Sequence, residues 1–247
     1  MKILHLVLYS ENDSEYKAMY EITQPYYKTF SDINTYYYMY LPDLIDEYKI
    51  DREKQIIFLK GEETFIPGIL EKTIKSFKII TQMFPKYDYI VRSNISTIVN
   101  LKLLREKLYQ YETPILYGGY IHDLQWCGSG ITTSCFFGTL FASGIGIIFS
   151  KSTINIILDN THLLRYDIID DVALGVLFKE HFPKIANNVY YLKETDYIFI
   201  KENIENIDLG ALRTVAQMIS YEIALGIIVS FDFYLIVYSI KVQFKLV

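Results

Sequence analysis

Short apolar segments of strand length alternate with longer amphipathic segments between residues 3 and 182 of this chain. The strand-like segments are Ile3 to Tyr9, Thr35 to Leu41, Gln55 to Leu59, Tyr87 to Val91, Pro114 to Tyr117 and the apolar part of Phe141 to Ser150. Helical spacing of apolar residues, with polar residues or Pro where the segments begin, predicts helices between them. One of these is a short helix from Leu101 to Tyr109, and another opens at Asp170 and Asp171. This alternation predicts an α/β fold, a Rossmann-type mixed sheet with helices on both faces.

Composition limits the classes of function. The chain has 247 residues, of which 51% are hydrophobic and 21% charged, so it has enough apolar material for a packed core. A net charge of -5 argues against a general nucleic-acid binder, which would show a basic surface. Two cysteines, Cys127 and Cys135, do not make a disulfide framework and indicate a reducing, cytoplasmic compartment. The apolar run after Met1 and Lys2 is short for a signal peptide and is better explained as a strand.

Polar residues follow the predicted strand Tyr87 to Val91. They include Arg92, Ser93, Asn94 and Ser96. In an open α/β sheet, ligands bind outside the carboxyl ends of the strands, so these side chains are the first candidates for a site. An ordinary turn at the end of a strand explains Asn94 and Ser96 equally well.

Three segments resemble, in the correct order, motifs of the Fringe-like and β-1,3-galactosyltransferase-like enzymes, which have the GT-A glycosyltransferase fold. Arg92 to Asn100 resembles the family's motif of a basic residue, Thr, three Asp, an apolar stretch and Asn. Ala142 to Ser150 resembles its Ser-Gly-Gly-Gly-Tyr-apolar-apolar-Ser motif, and Asp170 to Gly175 resembles Glu-Asp-Val-x-x-Gly. The resemblance covers the middle of the chain and implies a GT-A-like fold.

The resemblance implies an inverting hexosyltransferase that moves a sugar from a nucleotide-sugar donor, a UDP-sugar, to a glycan or protein acceptor. Asp171 matches the family's catalytic aspartate, and Asp170 lies beside it. Inversion at an anomeric carbon needs a carboxylate that takes the proton of the attacking hydroxyl group. Adjacent carboxylates could also serve only to start the helix and favour its dipole. A cytoplasmic enzyme of this kind fits bacterial or large-DNA-virus glycan assembly better than the Golgi.

Residues near several strand ends are candidates for binding the donor. Tyr9 and Ser10 follow the first strand, where a nucleotide base would lie in such a fold, and Lys60 follows the third. Gly144 and Gly146 would let the backbone approach the sugar or the diphosphate, although tight packing explains them nearly as well. The candidate donor contacts are Tyr9, Ser10, Lys60, Arg92, Ser93, Asn94, Ser96, Gly144 and Gly146.

A divalent cation, Mn²⁺ or Mg²⁺, is the remaining group that the resemblance implies. In the family, the first and third aspartates of the triplet hold the metal ion, and Asn94 and Ser96 occupy these positions here. Neutral amide and hydroxyl groups bind a hard cation more weakly than carboxylates do. No histidine lies between Tyr191 and Ile198, where the family has its metal-binding histidine. The sequence therefore leaves metal dependence open.

The apolar C-terminal segment is the basis of one of the alternative functions that stay open. Residues 1–220 are predicted to form the transferase domain, and 221–247 an apolar segment. Tyr221 to Ile240 approaches the roughly 20 residues of a membrane span, but Asp232 near its middle would be costly in lipid. Packing on the domain, peripheral association and a tail anchor are alternatives. Two further functions stay open: a glycosyltransferase-like protein that binds sugar or nucleotide without turnover, and a membrane-associated structural protein.

Overall fold

A mixed eight-stranded sheet is the framework of the residues that the computed structural model describes, 1–12, 14–97, 99–110 and 117–192. The strands are β1 (Ile3–Leu8), β2 (Asn34–Leu41), β3 (Tyr48–Asp51), β4 (Ile56–Lys60), β5 (Tyr89–Asn94), β6 (Tyr117–Asp123), β7 (Leu140–Ser150) and β8 (Tyr190–Tyr191). Their spatial order is β3-β4-β2-β1-β5-β7-β6-β8. Strands β4, β2, β1 and β5 are parallel, whereas β7 runs antiparallel to both of its neighbours.

Helices cover both faces of this sheet, which confirms the predicted fold class. The helices are α1 (Ser14–Lys28), α2 (Gly68–Met83), α3 (Leu101–Tyr109), α4 (Lys151–Asp159), α5 (Asp170–His181) and α6 (Pro183–Ala186). Apolar residues of α1 and α3, such as Met19 and Leu104, form the core on one face. Apolar residues of α2, α4 and α5, such as Phe77 and Ile154, form the core on the other face.

Strand β1 lies in the middle of the sheet and is buried on both faces. Leu4 and Leu6 pack on the α2 side, whereas Ile3 and Val7 pack on the α1 side, because successive side chains of a strand point to opposite faces. A parallel strand covered on both faces reads as a continuous apolar run rather than an alternating one. This is why the sequence of β1 predicts its position.

The central strand extends further than its sequence predicts. Strand β5 continues to Asn94, so Arg92 and Ser93 lie inside the sheet instead of following it. Arg92 is paired with Leu6 of β1 and with Ile147 of β7. Neighbouring strands on both sides satisfy the backbone at these positions, and the polar side chains find buried partners.

Two other features of the sheet differ from the sequence prediction. Strand β3, which was not predicted, forms an antiparallel edge with β4. Strand β6 runs on to Asp123, beyond the predicted end at Tyr117, and includes Gly118 and Gly119. Gly119 in β6 has φ of +147°, and a Cβ atom there would lie 2.4 Å from the carbonyl oxygen of Gly146 in β7. Glycine is therefore required where the β6–β7 register shifts.

The predictions for the C-terminal part of the chain concern residues after 192, the last residue described. In the described part of the chain, no helix is both long and apolar enough to cross a membrane. The predicted domain boundary at residue 220 and the segment Tyr221 to Ile240 fall outside the described residues, as does the start of the predicted strand Pro114 to Tyr117.

Candidate functional site

A pocket of about 430 Å³ lies at the carboxyl ends of β1 and β5, between the start of α2 and the start of α5. This volume is within the range of small-molecule sites. Parallel strands bring their carboxyl ends to one edge of the sheet, which is why residues distant in sequence meet here. The candidate residues that line it are Tyr9, Ser10, Arg92, Asn94, Ser96, Gly144, Asp170 and Asp171.

Two candidates, Lys60 and Gly146, lie away from this pocket. Lys60 is exposed at the end of β4, and its Nζ atom is 3.4 Å from the carbonyl oxygen of Ile45. Strand β2 separates β4 from β1, so the lysine ends a strand at some distance from the pocket. Gly146 lies deeper in β7, where its carbonyl group packs against Gly119.

Ser93 also lies away from the pocket, because it faces the opposite side of β5 from Arg92 and Asn94. Its Oγ atom is 3.0 Å from Nε2 of His5, whose Nδ1 atom is 3.3 Å from Oγ1 of Thr35. Burial lowers the pKa of His5 to about 3, so the ring is neutral at physiological pH. These three polar side chains connect β1, β2 and β5 within the sheet.

Arg92 is buried at the base of the pocket and is held by four hydrogen bonds to the protein. Its Nε donates to the hydroxyl of Tyr38 (3.2 Å), and its Nη2 donates to Oδ2 of Asp170 (2.7 Å). Its Nη1 donates to Oδ1 of Asn94 (2.8 Å) and to the carbonyl oxygen of Gly144 (2.9 Å). A guanidinium group has five N–H bonds. Arg92 therefore uses most of its donors to join β2, β5, β7 and α5.

Gly144 connects the arginine to the second aspartate. Its N–H donates to Oδ2 of Asp171 over 3.2 Å, while its carbonyl oxygen accepts from Arg92. A Cβ atom at Gly144 would lie 2.6 Å from Nη1 of Arg92 and 3.3 Å from Nδ2 of Asn94. Only glycine leaves room for the guanidinium at this position.

Asp171 lies in the first turn of α5, at the edge of the pocket, and is partly buried. Its Oδ1 atom accepts from the N–H of Val172 over 2.8 Å. Burial and the neighbouring Asp170 raise the pKa of Asp171 to about 6, against the opposing effects of Arg92 and of the two backbone donors. A carboxylate with a raised pKa is suited to accept a proton near neutral pH.

Lys72 of α2 also lines the pocket, and sequence analysis did not select it. The side chain is only 2% exposed, and its Nζ donates to Oε2 of Glu63 (2.5 Å) and to the carbonyl oxygen of Tyr9 (3.1 Å). Burial lowers the pKa of Lys72, while Glu63 opposes this shift. The sequence does contain a signal that could have identified Lys72. Ile79 and Ile80 follow this lysine by two helical turns, so the lysine lies on the buried, apolar face of α2.

Two aromatic rings stand at the rim of the pocket. Tyr16 of α1 is 36% exposed and Phe65 of the β4–α2 loop is 55% exposed. Phe65 therefore has much of its ring in contact with solvent, beside a polar floor. Exposed rings next to polar groups are suited to stacking on a base or a sugar.

Asn94, one of the two residues that the resemblance assigns to a metal ion, faces a guanidinium group instead. Oδ1 of Asn94 and Oδ2 of Asp170 both accept hydrogen bonds from Arg92. A cation coordinated through Asn94 would be repelled by this group at short range, so Asn94 is poorly placed as a ligand for such a metal ion. Across the described ranges, no three His, Cys, Asp or Glu side chains form a group that could hold a metal ion. Most of Tyr191 to Ile198 lies outside them.

No family model matches the chain, and no curated protein matches it. One similar solved structure is a glycosyltransferase involved in the glycosylation of the major capsid of PBCV-1, with 12% identity, a TM-score of 0.48 and coverage of 93% of this chain and 92% of that one. Another is 4-diphosphocytidyl-2C-methyl-D-erythritol synthase from Anaerococcus prevotii, with 10% identity, a TM-score of 0.44 and coverage of 77% and 86%.

A further structure of a 4-diphosphocytidyl-2C-methyl-D-erythritol synthase has 11% identity and a TM-score of 0.45, and the match covers 88% of this chain and 99% of that one. At identities of 10–12%, these likenesses assign no function to this chain.

Proposed function

We propose that this chain is a glycosyltransferase that moves a sugar from a nucleotide sugar, a UDP-sugar, to a hydroxyl group of a glycan or another acceptor. The observation that carries the proposal is the position of Asp171. Its carboxylate lies at the edge of a pocket of about 430 Å³, and its pKa is raised to about 6. A base of this kind beside a small-molecule pocket suits the activation of a hydroxyl group.

The proposed reaction is a single displacement with inversion. The acceptor oxygen forms a bond to the anomeric carbon while the bond from that carbon to the diphosphate oxygen breaks. The electron pair of the broken bond stays on the diphosphate, and the proton of the acceptor hydroxyl passes to Asp171. Gly144, which donates to Asp171, is itself held by Arg92, so the orientation of the base depends on this network.

The donor is proposed to occupy the pocket between the strand ends and the aromatic rim. Ser10, Asn94 and Ser96 offer polar groups along the ends of β1 and β5. Tyr16 and Phe65 offer rings on which a base or a sugar can stack. A polar floor with an apolar rim is the usual character of a site for a ligand that is part charged and part aromatic.

Nucleotide binding is the direct test of this proposal. A panel of UDP-sugars, other nucleotide sugars and nucleoside diphosphates should include one ligand that raises the melting temperature by several degrees, because binding to the folded state alone stabilises it. Thermal unfolding measured with Mg²⁺, with Mn²⁺ and with a chelator gives the result. Free sugars and inorganic sulfate are the matched controls. No shift with any nucleotide would contradict the proposal.

Ionisation of Asp171 sets the expected pH dependence of transfer. The ionised carboxylate is the proton acceptor, so kcat/KM should rise with pH and level off above about 6. Below that value it should fall by about tenfold per pH unit. Initial rates with the donor found in the panel, measured from pH 4.5 to 8 at constant ionic strength, check this. A flat profile for a protein that stays folded would rule out Asp171 as the base.

A binding protein without turnover is the second candidate, and a specific observation favours it. Asn94 and Ser96 stand where the resembling enzymes have carboxylates. Such a protein would bind the nucleotide sugar in the panel but release no nucleoside diphosphate over long incubation with any acceptor. The membrane-associated alternative depends on Tyr221 to Ile240, which lies outside the described residues.

A further inference from the structure

Five charged side chains line the pocket, and they fall into two ion pairs and one remaining carboxylate. Arg92 pairs with Asp170, and Lys72 pairs with Glu63, whereas Asp171 is hydrogen-bonded to backbone N–H groups. A donor diphosphate needs a positively charged group in this pocket. The need increases during the reaction, because negative charge develops on the diphosphate as it leaves. Arg92 and Lys72 are the two cations of the pocket that could supply this charge.

Among the described residues, each cation keeps one N–H bond without a hydrogen-bond acceptor, but the two differ in how many partners hold them. Arg92 is 1% exposed and uses Nε, both N–H bonds of Nη1 and one of Nη2 for protein partners. Lys72 has three N–H bonds, and its two protein partners are Tyr9 and Glu63. Its ammonium also keeps one donor, but only two partners hold it, against four for Arg92. It is in addition a compact point charge of the type that binds phosphate groups.

We propose that Lys72 is the phosphate-binding cation of this pocket and that it takes the role that a bound metal ion has in the resembling enzymes. The inference rests on the proposed function for the identity of the ligand, a diphosphate linked to a nucleoside. Burial strengthens the interaction, because an ammonium group that is 2% exposed is poorly screened by water.

Glu63 acts in this proposal as the counter-ion that the diphosphate displaces. Its Oε1 atom accepts from the N–H of Tyr40 over 2.9 Å, and its Oε2 atom accepts from Lys72. A buried ammonium without a partner would be costly, so the free protein needs this carboxylate. The incoming diphosphate offers the same charge and competes with Glu63 for Lys72. Removing the charge of Glu63 should consequently strengthen diphosphate binding.

Three substitutions test the role of Lys72 by titration calorimetry with UDP and with inorganic pyrophosphate, each in the presence of a chelator. Lys72→Met should weaken binding of both ligands by at least about tenfold, since it removes a buried charge partner. Glu63→Gln should tighten both by several-fold. Lys75→Met is the matched control, because Lys75 lies on the same helix but is exposed, and it should leave both affinities unchanged.

A fourth variant guards against a folding defect. Lys72→Met leaves Glu63 without its partner, so the double variant Lys72→Met with Glu63→Gln is compared with Glu63→Gln alone. Neither variant of this second comparison leaves a carboxylate facing an apolar side chain. The same loss of at least about tenfold is expected there. Thermal unfolding of each variant shows whether it is folded.

The outcomes separate this inference from the proposed function. Pyrophosphate binding that depends on Lys72, without any turnover of nucleotide sugars, would support the inference and contradict the transferase proposal. Nucleotide binding and sugar transfer that are unchanged in the Lys72 variants would overturn the inference alone. Binding that needs Mg²⁺ or Mn²⁺ and is indifferent to Lys72 would overturn it as well. A folded wild-type protein that binds neither ligand would also overturn it.

Discussion

Replacing Asp171 with asparagine should lower kcat for sugar transfer by at least about a hundredfold, because general-base catalysis contributes on the order of 10² to 10⁴ to such reactions. The amide group has nearly the same shape as the carboxylate and keeps an oxygen for one of the two backbone donors, Gly144 or Val172, while its NH2 group faces the other. It has no basic site for the acceptor proton. Steady-state kinetics with the donor identified by thermal unfolding, together with calorimetric donor affinity, measures the effect.

The affinity for UDP separates this result from a disturbed fold. Donor binding should change by less than a few fold in Asp171→Asn, since the proposed diphosphate contacts lie on other residues. Asp167→Asn is the matched control: this aspartate precedes α5, is 61% exposed and pairs with Arg165 on the surface. It should keep wild-type activity. Full activity in Asp171→Asn would remove the central residue of the proposed mechanism.

Replacing Arg92 with methionine should lower the free energy of unfolding by about 3–5 kcal/mol, the range for removing one partner of a buried ion pair. Asp170, whose side chain is 7% exposed, would lose its cation. Tyr38, Asn94 and Gly144 would lose a donor at the same time. Urea denaturation followed by circular dichroism measures the change, provided that the slope of the transition stays the same.

An exposed ion pair supplies the control for this variant. Arg105 pairs with Asp32 on the surface, where the side chain of the aspartate is 56% exposed. Arg105→Met should cost less than about 1 kcal/mol, because solvent screens exposed pairs. Adding Asp170→Asn to Arg92→Met should restore part of the lost stability, since it removes the unpaired charge. Equal effects of the two arginine substitutions would show that Arg92 does not hold the network together.

Local patterns were sufficient to predict many of the elements. Helix α3 was predicted at Leu101 to Tyr109 and is found there, because Asn100 caps it and its apolar residues have helical spacing. Helix α5 begins at Asp170 as predicted. Both predictions depend on hydrogen bonds and contacts within a few residues. The end of β5 could not be predicted in this way, because Arg92 and Ser93 are buried by partners from β1, β2, β7 and α5.

The candidate site shows the same division. Asp170 and Asp171 could be selected because their segment resembles the Glu-Asp-Val-x-x-Gly motif. Asn94 could be selected because polar residues at strand ends tend to meet at one edge of an α/β sheet. Lys60 was selected for the same reason, but its strand lies too far along the sheet. Lys72 was missed because its importance arises from the burial of α2 against the sheet, not from a strand end.

The sequence by itself determined the alternation of strands and helices, the fold class and the region in which the polar residues of the pocket lie, because these depend on periodicity and on neighbouring residues. Only the tertiary structure decided which charges pair. Arg92 and Asp170 are 78 residues apart in the chain, and their 2.7 Å contact exists because β5 and α5 pack on the same part of the sheet. The free energy of a buried charge depends on its partners and on the loss of water, and neither is written in the local sequence.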